Sequence, residues 1–229
     1  MNLRGWLGRL LPSSAPHAAS RVELSLPIPE RYRDLWAYAQ KRLVRQDAAG
    51  VQEAIGALQR IVDEQEFDTL PPLFQVATLA NLGAAYARLH SASGDSGHYG
   101  RATGNLDEAW RRLWNRDGDD ARMILDTLAI AAADRFERTL LDSALEEMIE
   151  RHEALLRLGS LERNTRHERR HTLMSGLQER IRRGHGPGDG RRLLELLDEA
   201  LADRTPTRDV RARYASLKAE LTAGSRTPT

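Results

Sequence analysis

From Glu30 to Leu221 the apolar residues of this chain recur at three- and four-residue intervals and almost nowhere alternate. Helices must therefore supply nearly all of its regular structure. Leu35, Tyr38, Ala39 and Leu43 share one helical face. Val51, Ile55, Leu58 and Val62 share another, and Val76, Leu79, Leu82 and Leu89 a third. Pro71-Pro72, the acid-rich turn at Asp117-Gly118 and the glycines from Gly184 to Gly188 punctuate the pattern. Further helices are expected at about Asn105–Trp114, Ala121–Arg138, Leu141–Leu158, Leu161–Arg183, Arg191–Asp203 and Asp209–Leu221. Ser91–Thr103, rich in Gly and Ser, reads as a loop. The one alternating run, Val22 to Leu26, has no partner that could complete a sheet. The expectation is an all-α fold of about nine helices with short connections.

Composition removes several classes of chemistry. The chain has no Cys, which excludes disulfide scaffolds, thiol catalysis and Cys-based metal centres. Aromatics are 5%, so the core must be built mainly from Leu, Ala, Ile and Val. Of the 34 basic residues only Lys41 and Lys218 are lysines, the pattern of a GC-rich, bacterial genome. Net charge is +1, but it is unevenly spread. Residues 151–192 hold 11 arginines against five acids, a local +6, so the rest of the chain sums to −5.

Residues 1–29 stand apart as an N-terminal amphipathic segment and linker. Before Glu23 there is no acid, and Leu3, Trp6, Leu7, Leu10 and Leu11 would share one side of a short helix that Pro12 ends. That helix is too short to span a bilayer, and Arg9 interrupts the apolar run a secretory signal needs. Trp6, Leu7 and Leu10 are the expected anchor on a partner protein, on a membrane surface, or on the chain's own core.

Self-comparison finds a repeat. Asn81-Leu82-Gly83-x-x-Tyr86 lines up with Thr127-Leu128-Ala129-x-x-Ala132, 46 residues on. Leu106-Asp107-Glu108-Ala109 lines up with Leu141-Asp142-Ser143-Ala144, 35 residues on. An 11-residue insertion in the 91–103 loop would reconcile the two, leaving a unit of about 35 residues with two helices. Gly83 and Ala129 have almost no side chain, so a second helix can cross closely there. The period and these residues resemble the tetratricopeptide repeat. The resemblance covers residues 73–158 and extends more weakly to 32–66. The sequence departs from the pattern at Leu79, where Trp is usual, and after Leu89, where a closing Pro is absent. The resemblance implies stacked antiparallel helix pairs, a short α-solenoid with a groove along the first helices. In some members of the family, groove residues flanking the Gly clamp a peptide carboxylate. Here they are Ala80 and Ala84, which makes that ligand doubtful, whereas Asp126 and Asp134 suit a basic or polar partner.

His167-Glu168-Arg169-Arg170-His171 matches H-E-x-x-H, in which two His on one helical face bind zinc beside a Glu general base. Glu162–Thr172 contains no apolar residue to dry such a site, no third ligand lies at a matching spacing, and the segment reads as a solvent-exposed turn. Arg163, Arg166, Arg169 and Arg170, continued by Arg180, Arg182 and Arg183, form a basic stripe for an acidic partner or for phosphates. No aromatic between Leu155 and Tyr214 is present to stack on bases. No nucleotide-binding glycine loop or G-x-S-x-G elbow occurs. The organisation expected is 1–29, helical repeats 30–158, basic C-terminal helices 159–222 and a flexible tail 223–229. The expected role is a cytoplasmic, non-catalytic adaptor or scaffold in a larger protein complex, without cofactor, metal or small-molecule substrate. The alternatives are a nucleic-acid binder using Arg163–Arg183 and a zinc hydrolase using His167, Glu168 and His171.

Overall fold

A computed structural model describes residues 26–224, apart from residues 46, 160, 185, 187, 204 and 205. Trp6, Leu7 and Leu10 lie outside the described residues. Among the described residues there are nine α-helices, two short 3-10 turns (Glu30–Tyr32 and Phe67–Thr69) and no strand. The helices are α1 (Arg33–Val44), α2 (Ala48–Val62), α3 (Pro72–Ser93), α4 (Ser96–Arg112), α5 (Asp119–Thr139), α6 (Asp142–Leu156), α7 (Arg163–Arg182), α8 (Asp189–Ala202) and α9 (Arg208–Gly224). The chain divides into two compact units, one ending at Arg138 and the other beginning at Thr139. No helix among the described residues is long and apolar enough to cross a membrane.

Consecutive helices pack on one another in each unit: α1 on α2, α2 on α3 and α3 on α4 in the first, α6 on α7, α7 on α8 and α8 on α9 in the second. Short connections force the antiparallel pairing. Asp47 caps α2 by accepting from the Gly50 amide at 2.6 Å, and Pro72 opens α3 at a position where its missing amide costs nothing. In the first unit Phe74 is fully buried, with the rings of Tyr32 and Trp36 against it at 5.9 and 5.3 Å.

The expected loop at 91–103 is a helix instead. The chain breaks only at Gly94 and Asp95. Gly94 takes a left-handed φ of 73° and donates to the His90 carbonyl at 2.7 Å. Asp95 then caps α4 by accepting from the Gly97 amide at 2.7 Å. Gly97, Gly100 and Gly104 disfavour helix by about 1 kcal/mol each. Burial of Tyr99, Ala102 and Leu106 outweighs them.

The repeat length changes accordingly. Pro72 to Asp119, the starts of α3 and α5, is 47 residues, and Ser96 to Asp142, the starts of α4 and α6, is 46. Both helices of the pair thus recur together, and no 11-residue loop is inserted. Ala109 lies in the last turn of α4 whereas Ala144 lies in the first turn of α6, so the 35-residue correspondence joins unlike positions. Gly83 and Ala129 do occupy matching mid-helix positions, and both are buried.

Arginines repeat this spacing physically. Arg88, near the end of α3, donates to the Leu43 carbonyl at the end of α1, 45 residues earlier, at 2.9 Å. Arg138, at the end of α5, donates to the Ser91 carbonyl in the last turn of α3, 47 residues earlier. Arg183, just past α7, donates to the Leu140 carbonyl 43 residues earlier at 2.9 Å. In the first unit Arg88 and Arg138 each meet the carbonyl end of the helix two places earlier.

A Cβ added at Gly83 would meet Leu106 Cγ at 2.6 Å and the Ala102 carbonyl at 3.0 Å, whereas at exposed Gly56 it would meet nothing within 4 Å. Gly83→Ala is expected to lower stability by about 1–3 kcal/mol through overpacking. Gly56→Ala, in α2, should raise it by about 0.5–1 kcal/mol. Urea midpoints of the two variants check both signs.

Candidate functional site

The H-E-x-x-H segment lies in the first half of α7, and it is not an exposed turn. Arg169 and Arg170 are buried, and His171 is half-buried. Their cover comes from later in the chain. Tyr214 of α9, itself buried, sets its ring 6.4 Å from His167 and 6.0 Å from His171. Its hydroxyl lies 2.9 Å from His171 Nδ1. Burial pushes that hydroxyl up to about 12, and burial with the neighbouring His167 pushes His171 down to about 4. His167 is also lowered by burial, with Asp203 opposing the shift. The pair is therefore neutral around pH 7, and it ties α9 to α7. Glu168 stays exposed. His152, a potential additional ligand by composition, sits on α6 with Nδ1 2.8 Å from the Met148 carbonyl. His185 lies outside the described residues. Among the described residues no group of three or more His, Cys, Asp or Glu side chains converges as a metal site.

The basic stripe is largely folded into the second unit. Arg170 lies 3.5 Å from Glu199 and 3.6 Å from Asp203 of the α8 end. Arg180 meets both Asp189 oxygens, one of them at 2.6 Å, and also Glu146 of α6. Arg182 and Arg183 hold Glu179 at 2.6 and 2.7 Å, which keeps that buried carboxyl below its usual range. Arg183 reaches Asp142 as well. Arg192 pairs with Glu153 through two bonds of 2.7 and 3.0 Å. The local +6 of the sequence thus meets acids of α6 and α8 on either side of α7. Two members differ. Arg166 donates to the Leu156, Leu158 and Gly159 carbonyls at 3.1, 2.7 and 3.2 Å, finishing the C-terminus of α6. Arg163 is exposed at the first position of α7.

In the first unit the expected groove acids separate. Asp126 is half-exposed on α5, on one face with half-exposed Met123 and Ile130. Asp134 is occupied by the fold: Arg138 Nε lies at 3.1 Å and buried His90 Nε2 at 3.6 Å. Ala80 is buried in the core, while Ala84 and Arg88 are half-exposed. Sequence reasoning missed Trp114. Read as the end of a helix, it stands instead past α4 in the turn before α5 and is 76% exposed, whereas Trp36 is buried. Its flanking Asn115 and the following acid-rich turn carried the signal.

Two outcomes follow from this geometry. Removing the Arg180 guanidinium leaves Asp189, which is 4% exposed, without its main counter-ion. Arg180→Ala should therefore cost about 3–5 kcal/mol in chemical denaturation, against roughly 0.5 kcal/mol or less for Arg163→Ala. The second outcome concerns acid. His171 is held neutral in the fold down to about 4, while the unfolded chain takes up that proton near 6.5. Stability should fall as pH drops from about 6.5 to about 4, with a slope of at most about 1.4 kcal/mol per pH unit for this group. His171→Gln should flatten the profile in that window, as read from unfolding free energies at successive pH values.

Comparison with protein-family models, with curated proteins and with solved structures gives no match for this chain. The family-level statement that stands is the physical one: an all-α chain of consecutively packed helix pairs.

Proposed function

We propose that this chain is a non-catalytic adaptor or scaffold of degenerate tetratricopeptide type, working in the cytoplasm as one component of a larger protein complex. Its partner would be held along the half-exposed face of α3 and α5 and by the N-terminal segment carrying Trp6, Leu7 and Leu10. The observation that carries this reading is the consecutive packing of helices, with arginine contacts between alternate helices of the first unit. Arg88 and Arg138 bond the ends of α1 and α3 from the helix two places on. Their half-exposed positions then run across neighbouring helices: Asn81, Ala84 and Arg88 on α3, and Met123, Asp126 and Ile130 on α5. Such a surface mixes apolar contact with charge, which suits an extended peptide or a helix. Close approach at Gly83, where α4 crosses α3, supports the tetratricopeptide resemblance. The longer 46–47-residue spacing sets the pair apart from the usual 34.

The test is partner recovery with tagged chain, followed by measured binding of the recovered protein. Deleting residues 1–12 should leave helicity and melting unchanged and abolish recovery. Asp126→Lys should weaken binding by about 1–2 kcal/mol if the face is used, within the range of interface substitutions. Unchanged binding in both variants overturns the adaptor reading. Stoichiometric zinc in protein purified without a His tag, with hydrolytic activity lost in His167→Ala, would point to a hydrolase instead.

A further inference from the structure

Arginines of the basic stripe and its neighbourhood differ in what they face, and the difference marks a site. Arg170, Arg180, Arg182, Arg183 and Arg192 all face carboxylates. Arg163 and Arg166 do not: among the described residues no carboxylate lies within ion-pair distance of either guanidinium. These two arginines line one open cavity of about 530 Å³, closed by Leu161 before α7 and by Ala202 and Asp203 at the end of α8.

Three features fix the sign of what fits there. The cavity holds two unneutralised guanidinium groups one turn apart on α7. Among the described lining residues the one acid, Asp203, lies 3.6 Å from Arg170. Arg170 adds an independent sign of unmet demand. Its side chain is 7% exposed, yet neither Nε nor Nη1 has a hydrogen-bond acceptor, and its nearest carboxylates stand at 3.5 and 3.6 Å. Arg170 lies one turn inward of Arg166 on the same face of α7, with these two donors unbonded. The helix start reinforces this, because the Glu162 side chain does not cap the first-turn amides of α7.

We propose that this cavity is a binding site for an oxyanion of phosphate-monoester type, held by Arg163 and Arg166. A monoester carries about 1.5–2 negative charges near pH 7, matching two arginines, and its tetrahedral oxygens suit their forked donors. Leu161 and Ala202 supply apolar walls for the organic part of the ester. Arg166 already spends part of its guanidinium on three carbonyls, which holds it rigidly at the rim. Arg163 is the exposed half of the clamp. This site does not depend on the adaptor reading and stands or falls separately from it.

The experiment is calorimetric titration of the full chain with inorganic phosphate and with phenyl phosphate, at constant ionic strength set by sodium chloride. Saturable one-to-one binding is expected, tighter for phenyl phosphate if the ligand is an organic ester and tighter for inorganic phosphate if it is the free ion. Arg163→Glu should weaken it at least about tenfold with unchanged circular dichroism, since one charge-assisted contact becomes a repulsion. Arg191→Glu, which reverses an exposed charge on α8 outside the cavity, should bind as wild type. Absence of saturable binding, or equal binding in Arg163→Glu, overturns the proposal.

Discussion

An arginine that reaches back across the stack to the end of an earlier helix is the contact on which the architecture turns. An isolated helix pair buries one face and leaves both its last carbonyls and its outer face unmatched. In the first unit the guanidinium of Arg88 or Arg138 answers the carbonyls from the helix two places later. The bond does two things at once. It discharges the negative end of one helix, and it fixes the axial position of the next parallel helix, because a planar fork on a fixed stem tolerates little sliding. Antiparallel neighbours are set by short connections, whereas parallel neighbours have no such tether and need a side chain to register them. Lysine, a point charge on a flexible stem, would meet the first need and serve the second poorly, which gives a structural reason for arginine at these positions.

Charge does comparable work in the second unit. Read along the chain, residues 151–192 look like a basic patch awaiting an acidic partner. Folded, the α7 arginines and Arg183 are met by Asp142 and Glu146 of α6 and by Asp189, Glu199 and Asp203 of α8 and its end, while Glu153 of α6 pairs with Arg192 of α8. The partner of most of this stripe is the chain itself. What remains is the pair at the start of α7, and this is why Arg163 and Arg166 differ from their neighbours of the same type.

Helices were legible in the sequence wherever apolar residues kept their spacing, and their breaks were legible at Pro71-Pro72, at the Asp117-Gly118 turn and at Gly184–Gly188. The 91–103 stretch was not, because its glycines vote locally against a helix while the burial of Tyr99, Ala102 and Leu106 depends on α3 being beside it. The repeat length was misjudged for a related reason. Leu-x-x-Ala recurs wherever helices touch, so Leu106–Ala109 and Leu141–Ala144 match in composition while sitting at opposite ends of their helices. The histidine segment of α7 looked wet because it has no apolar residue of its own. Its cover, Tyr214, comes 43 residues after His171, and nothing local announces it. Asp134 was placed on an open groove for the same reason, since His90, which faces it, lies on another helix. Local chemistry predicts local structure well, and it is silent about which helix will arrive later to close a face.

The indole of Trp114 stands almost wholly in water, while that of Trp36 is enclosed by the core. These two of the chain's four tryptophans are thus optical reporters of opposite character. Emission from the enclosed ring follows the integrity of the first unit, and the solvated ring, already red-shifted, can respond only to something that settles over the turn between α4 and α5. In a chain with Trp6 and Trp110 replaced by Phe, a blue shift without any change in circular dichroism would announce an encounter at that corner before its chemistry were known.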